Sequence, residues 1–139
     1  MSEDYISGFF DADGSITMSY NSKTNKFRTI KIDFTNTKPN ILLEIQDFLL
    51  KKYNIRMYMC IKPSQKENQA TAYALSCCSN QQCYQLCSII KSIHPKKLHR
   101  INTVLKYHNL VTKRNGQYKG REIIRRLAYE RLFFSTTFQ

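Results

Sequence analysis

No run of apolar residues in this 139-residue chain is long enough to cross a membrane, and no signal peptide is read in it. A membrane-spanning role is excluded on that count, and an exported one is not expected. Acidic side chains are scarce: 10 Asp+Glu face 22 Lys+Arg, a formal net charge of +12. The favoured partner is therefore a polyanion. The deficit is uneven, since residues 1–50 hold seven acids and five bases whereas residues 51–139 hold three acids and seventeen bases. Five cysteines, an odd number, leave no complete disulfide framework and point to a reducing, intracellular compartment. Cys77, Cys78, Cys83 and Cys87 lack two CxxC pairs and a histidine at finger-like distance. They read as small buried or half-buried residues rather than as a zinc cluster. No internal repeat is present. With 42% hydrophobic residues, one domain over 1–139 is expected, its core at about 1–110 and a helical part over 111–139.

What is present is organised around Tyr5-Ile-Ser-Gly-Phe-Phe-Asp-Ala-Asp-Gly-Ser-Ile-Thr17. Asp4 is the expected cap of a helix that Gly14 ends, and Ser15 to Tyr20 alternates polar and apolar residues as a half-buried strand does. Gly8 and Ala12 share a helical face, with Ser7 and Asp11 beside them. Such small side chains let a second helix approach the backbone closely. Asp13 falls at the C-terminal end of the helix dipole, where a carboxylate is badly placed unless a cation offsets it. A bound divalent metal would do so.

Downstream, the polar loop Asn21 to Lys26 leads into a second alternating run, Phe27 to Thr35, which makes a hairpin with the first. By parity Ile16, Met18, Tyr20, Ile30, Ile32 and Phe34 face the core. Thr37, with Pro39 in the first turn, starts a helix whose stripe is Ile41, Leu42, Ile45, Phe48 and Leu49. A second hairpin follows, Ile55 to Lys62 and Ala70 to Cys77, with Ile55, Met57, Met59, Ile61, Tyr73 and Leu75 inward. Then comes a helix from about Ser79 through Cys83, Tyr84, Leu86, Cys87 and Ile90. Ile101 to about Thr112 continues as helix, Gly116 and Gly120 mark a break, and Arg121 to Phe134 is amphipathic through Ile123, Ile124, Leu127 and Ala128. The basic loop Lys113 to Gly120 and the Arg125, Arg126, Arg131 face are read either as braces for flanking phosphates or as solvated surface.

The expected fold is thus α+β, an αββαββα order with a curved antiparallel four-stranded sheet and helices on its opposite face. The uncovered face carries Thr17, Ser19, Asn21, Thr29, Lys31 and Asp33, then Arg56, Tyr58, Cys60 and Lys62, and Ala72, Ala74 and Ser76. Such a ribbon suits the major groove of double-stranded DNA, with Arg56 on guanine, Asn21 on adenine, and Asp33 or Ser19 on the remaining donors and acceptors. Lys23, Lys26 and Arg28 join this DNA-contacting set. A second candidate is Ser92-Ile-His-Pro-Lys-Lys97-Leu-His-Arg100, where Lys96, Lys97, His99 and Arg100 crowd into one turn. A cation there either stabilises charge on a pentavalent phosphate or contacts phosphates electrostatically.

The stretch Ser7-Gly-Phe-Phe-Asp-Ala-Asp-Gly-Ser15 resembles the LAGLIDADG motif of homing endonucleases, with Ser7 where Ala is usual. The resemblance covers at least residues 1–110 and implies a single-motif member that works as a homodimer. Its motif helices would pack through Ser7, Gly8, Asp11 and Ala12. Asp13, with the carbonyl of Ala12, would bind Mg2+, for which Mn2+ can substitute, and no small-molecule cofactor is implied. Counted back from Asn102-Thr-Val-Leu-Lys106, Lys97 stands where such enzymes place an active-site lysine. Asn36 stands where they use Gln to hold the nucleophilic water. Asp11 is expected to cap or brace the helix junction rather than to bind metal. The implied activity is cutting of a long pseudo-palindromic DNA site across the minor groove, leaving 3′ overhangs. The alternatives are an intron RNA maturase and a non-catalytic DNA-binding protein on the same fold. The abundance of Lys, Asn, Ile and Tyr is that of an AT-rich genome, such as an organelle (chloroplast or mitochondrion) or a virus in its host cell, with the nucleus as a further compartment.

Overall fold

Helix α1, Glu3–Asp13, begins the chain in a computed structural model that describes residues 1–23, 25–62, 66–113 and 117–135. Ser2, in extended conformation, is its cap: the Ser2 hydroxyl accepts the Tyr5 N–H at 3.1 Å. The expected cap, Asp4, instead lies inside the first turn with Glu3, where carboxylates complement the positive helix end. Strand β1, Gly14–Ser19, leaves the helix directly and pairs antiparallel with β2, Thr29–Asn36, in the register Ile16↔Ile32 and Thr17↔Lys31. Helix α2, Pro39–Tyr53, buries Leu42, Ile45 and Leu49. Lys38 rather than Thr37 occupies its cap position and makes no side-chain cap, since an ammonium has no acceptor to offer; its own N–H is held by the Asn36 Oδ1 at 2.9 Å. Asn54 ends α2 in the left-handed region, φ 55.

Strands β3, Tyr58–Lys62, and β4, Ala72–Cys77, complete a sheet of order β1-β2-β4-β3. β2 pairs with β4 antiparallel through Asp33↔Ser76, and β4 with β3 through Ser76↔Tyr58. Helices α3 (Asn80–Ile89), α4 (Pro95–Val111) and α5 (Arg121–Phe133) follow. The apolar sheet face, Ile16, Met18, Ile30, Ile32, Phe34, Leu75 and Cys77, meets Ile6, Phe10, Leu42, Ile45, Leu49, Leu86 and Val104 of the helices in one core. The α+β order and the uncovered opposite face are those expected.

The differences lie at element ends. Tyr20 is 49% exposed because β1 stops at Ser19, and the Tyr20 ring instead lies under the Arg28 guanidinium at 4.9 Å. Ile61, read as inward, is 67% exposed near the end of the edge strand, which leans chiefly on β4. Ile55 and Met57 are buried as expected but precede the strand. α4 starts six residues earlier than expected, at Pro95. Helix α5 is rotated from its apparent stripe: Ile124 and Leu127 are exposed, while Arg126, Tyr129, Glu130 and Phe133 are buried. Three expected loops, Asn21–Lys26, Pro63–Gln69 and Lys113–Gly120, contain residues outside the described ones, namely 24, 63–65 and 114–116 with Gly116 among them.

Candidate functional site

The junction of α1 and β1 presents an acid and a cation together. Asp13 is the last helical residue and, like Ala12, is exposed; among the described residues it makes no ion pair. Gly14 must be glycine for steric reasons. Its N–H closes the helix on the Phe10 carbonyl, and a Cβ there would lie 2.3 Å from the Phe10 ring. The last turn of α1 has no basic residue of its own. Lys97 of α4 supplies one, its Nζ donating to the carbonyls of Phe10 and Asp11 at 2.9 Å each and standing 5.4 Å from the Phe10 ring centre. An ammonium on the last-turn carbonyls of a helix offsets the negative dipole end that also bears Asp13. The Asp13 carboxylate and neighbouring backbone carbonyls are hard oxygen donors of the kind that Mg2+, Mn2+ and Ca2+ take.

Two of the four residues expected along the partner-facing line of α1 turn inward. Ser7 is 6% exposed and its hydroxyl accepts the Lys91 N–H at 2.9 Å. The Asp11 carboxylate accepts the Ile93 N–H at 2.8 Å and the Ser92 hydroxyl. These bonds tie α1 to the segment before α4. Gly8 and Ala12 remain exposed, and a Cβ on Gly8 would meet nothing within 4 Å. The Tyr5 and Phe9 rings stack beside that open line, with centroids 6.4 Å apart.

On the uncovered face, Ser15, Asp33, Ser76 and Tyr58 form one row across all four strands. Asp33 is only 8% exposed; its Oδ2 lies 3.8 Å from the Lys31 ammonium, and its Oδ1 is buried without a hydrogen-bond partner among the described residues. Ala74 and Ser76 are equally closed, at 2% and 5%, whereas Tyr58 and Lys62 stand out and Ala72 is half-buried. Thr17 and Thr29 are half-buried, and the Thr29 hydroxyl bonds the Ser19 carbonyl and the Asn21 Oδ1. Lys23 and Lys26 are exposed, and Arg56 is exposed with its N–H held by Gln82. Asn36 ends β2, its Oδ1 committed to Lys38 and its amide N–H groups left as donors.

Three arginines are placed otherwise than expected. Arg28 lies at the sheet end against α5: its N–H donates to Glu130 at 3.1 Å and its guanidinium stands 5.1 Å from the Phe134 ring centre. Arg100 donates to the Ile16 carbonyl at 2.8 Å and packs on Phe133 and Phe134, a strut between α4, α5 and β1. Arg126, 1% exposed, cannot brace a phosphate. It pairs with Glu130 and donates to the Thr112 hydroxyl and the Arg28 carbonyl. Lys96, Arg125 and Arg131 are exposed. Ser92 and His94, assigned no role from sequence, join the site: His94 caps α4 through its Nδ1. Pro95 at the helix start was the signal for that cap.

A sequence model of the LAGLIDADG-like domain matches residues 2–131. The chain belongs to this family. Its fold is that of LAGLIDADG homing endonucleases solved with DNA. I-SmaMI bound to an uncleaved DNA target in the presence of calcium ions superposes with a TM-score of 0.67 at 16% identity, over 96% of this chain and 45% of that one. The archaeal intron-encoded homing endonuclease I-Vdi141I, complexed with DNA, gives 0.53 at 16% over 99% and 86%. The LAGLIDADG meganuclease I-CpaMI, bound to uncleaved DNA, gives 0.51 at 14% over 99% and 54%. The chain thus spans less than half of I-SmaMI. No curated protein sequence matches it.

Proposed function

We propose that two copies of this LAGLIDADG chain form a site-specific endonuclease that cuts both strands of a long, pseudo-palindromic DNA duplex. The observation that carries the reading is the exposed Asp13 carboxylate at the end of the motif helix, with the Lys97 ammonium fixed on that helix's last carbonyls. One such junction per chain serves one strand, so a two-fold axis through the exposed Gly8 and Ala12 line of α1 brings two junctions together. Each sheet then covers about one helical turn, for a target of roughly 20 bp.

Asp13 and the carbonyl of Ala12 would hold Mg2+, or Mn2+ in its place. When bound, such an ion polarises the scissile phosphate and lowers the pKa of water. Lys97 keeps a positive charge beside the phosphate as negative charge develops there. Asn36, one carbonyl oxygen committed to Lys38, offers its amide N–H groups to order solvent. The exposed ends of the row across the sheet, Ser15 and Tyr58, and the basic residues Lys23, Lys26, Lys31, Arg56, Lys62 and Lys96 read and hold the duplex. Cleavage across the minor groove leaves 3′ overhangs. An intracellular setting in an AT-rich genome, and an intron origin, complete the proposal.

The test is cleavage of a randomised two-fold symmetric duplex library in Mg2+ by the native chain and by Asp13→Asn, with the cut ends sequenced. A pseudo-palindromic site with staggered 3′ ends, lost in the variant, is expected. Equal retention of uncut sites by both proteins would identify a binder in which Asp13 is structural. Retention of intron RNA but not DNA would favour the maturase.

A further inference from the structure

The motif helix does more than present Asp13: it is stitched to the segment that launches α4 and thereby to Lys97. Ser7 and Asp11, one turn apart on the same face, meet three consecutive residues of that segment. Ser7 takes the Lys91 N–H, and Asp11 takes the Ser92 hydroxyl and the Ile93 N–H. Ser92 is 6% exposed and its oxygen also accepts the His94 N–H at 3.1 Å. His94 in turn caps α4 on the Lys97 N–H, and the Lys97 ammonium returns to the Phe10 and Asp11 carbonyls. The path closes on α1 where it began. A flexible lysine chain ordinarily loses side-chain entropy when held in one place; here backbone and ammonium are both tethered to one helix.

We infer that Ser7, Asp11 and Ser92 are positioning residues that lock the Lys97 ammonium to the helix bearing Asp13, so that acid and cation move as one rigid unit. The inference rests on the proposed endonuclease reading for its effect on rate. Ser7 is its most specific member, because a small apolar residue would fill the same space without holding Lys91. None of the three needs to touch DNA.

The experiment is single-turnover cleavage of the recovered target in Mg2+ by the native protein and by Ser7→Ala, Ser92→Ala, Lys97→Met and the double variant Ser7→Ala/Lys97→Met. DNA affinity is measured in Ca2+ in parallel. Ser7→Ala and Ser92→Ala are expected to lower the cleavage rate about tenfold, the worth of one lost hydrogen bond. DNA affinity stays unchanged, and the double variant is no slower than Lys97→Met alone. Native rates in both single variants would overturn the inference, and so would a Ser7→Ala loss that multiplies with that of Lys97→Met. Failure of the parent reading looks different, since Asp13→Asn would then cut like the native protein or nothing would cut. In that event the Lys97 ammonium proton resonances decide. Slow exchange with solvent in the native chain, lost in Ser7→Ala, supports the tether; equal exchange in both overturns it.

Discussion

Replacing Arg126 by Met separates two accounts of the C-terminal helix. The side chains of Arg126 and Glu130 are 2% and 3% exposed, with Nε and Oε2 3.7 Å apart. Arg126 also holds the Thr112 hydroxyl and the Arg28 carbonyl, while Glu130 accepts the Arg28 N–H. Methionine fills a similar volume but leaves the Glu130 carboxylate buried with only the more exposed Arg28 as counter-charge. Removing one partner of a buried pair costs about 3–5 kcal/mol. At roughly 4 °C per kcal/mol for a domain of this size, Tm should fall by about 12–20 °C. Arg125→Met, on the exposed side of the same helix, should stay within about 0.5 kcal/mol of the native protein. Thermal melts by circular dichroism measure both. DNA affinity against salt, taken at a temperature where the variant is folded, supplies the contrast, because a lost phosphate contact lowers the log–log slope by about 0.9. The structure requires a lower Tm and an unchanged slope for Arg126→Met. A native Tm with a reduced slope would refute it and return Arg126 to the DNA surface.

Gly8→Leu should fold as well as the native chain, since nothing lies within 4 Å of its Cβ position; sedimentation should nevertheless show monomers, and a stable dimer would discard the proposed axis. Gly14→Ala should destabilise by about 1–3 kcal/mol in urea titration through its clash with Phe10. Burial, helped by the Arg126 guanidinium, holds the His108 imidazole down at about 4 against an ordinary 6.5. The unfolded chain therefore takes up this proton first, and the contribution present above 6.5 is lost as pH falls toward 4. His108→Gln should flatten the stability profile in that window. Lys52 and Tyr53 hold the half-buried Glu3 carboxyl down at about 2. Its contribution is complete above 4.5 and fades toward 2, so Glu3→Gln should blunt acid unfolding below pH 4.5.

The two hairpins, α2 and the uncovered face were legible because each rests on local periodicity, alternation in Ser15–Ser19 and Thr29–Asn36 and a 3.6-residue stripe in α2, while the motif was legible by resemblance. Helix α5 was not. Its apolar residues Ile124 and Leu127 stay exposed, while a charged pair turns inward to meet Arg28, 98 residues away along the chain from the Arg126 that donates to it. No local rule expresses a partner so distant. The packing of Arg100 and Arg28 against α5 was illegible for the same reason, since basic residues in a basic protein look like surface until packing places them. Lys97 was singled out from its basic neighbours by resemblance, and its tether to the Phe10 and Asp11 carbonyls appears only in three dimensions.

Under the proposed function, the tight centre of the open face constrains how the protein could change its target. Ser19 and Asn21 are exposed and Thr17, Thr29 and Lys31 half-buried, so their side chains can be exchanged with little repacking of the sheet, with the hydrogen bond between Thr29 and Asn21 tying those two together. Asp33, Ala74 and Ser76 are closed against their neighbours. A larger side chain at any of the three needs space released by another, so single substitutions there should fail where coordinated pairs succeed. Retargeting, by selection or by design, would then run easily at the outer positions and in jumps toward the cleavage centre.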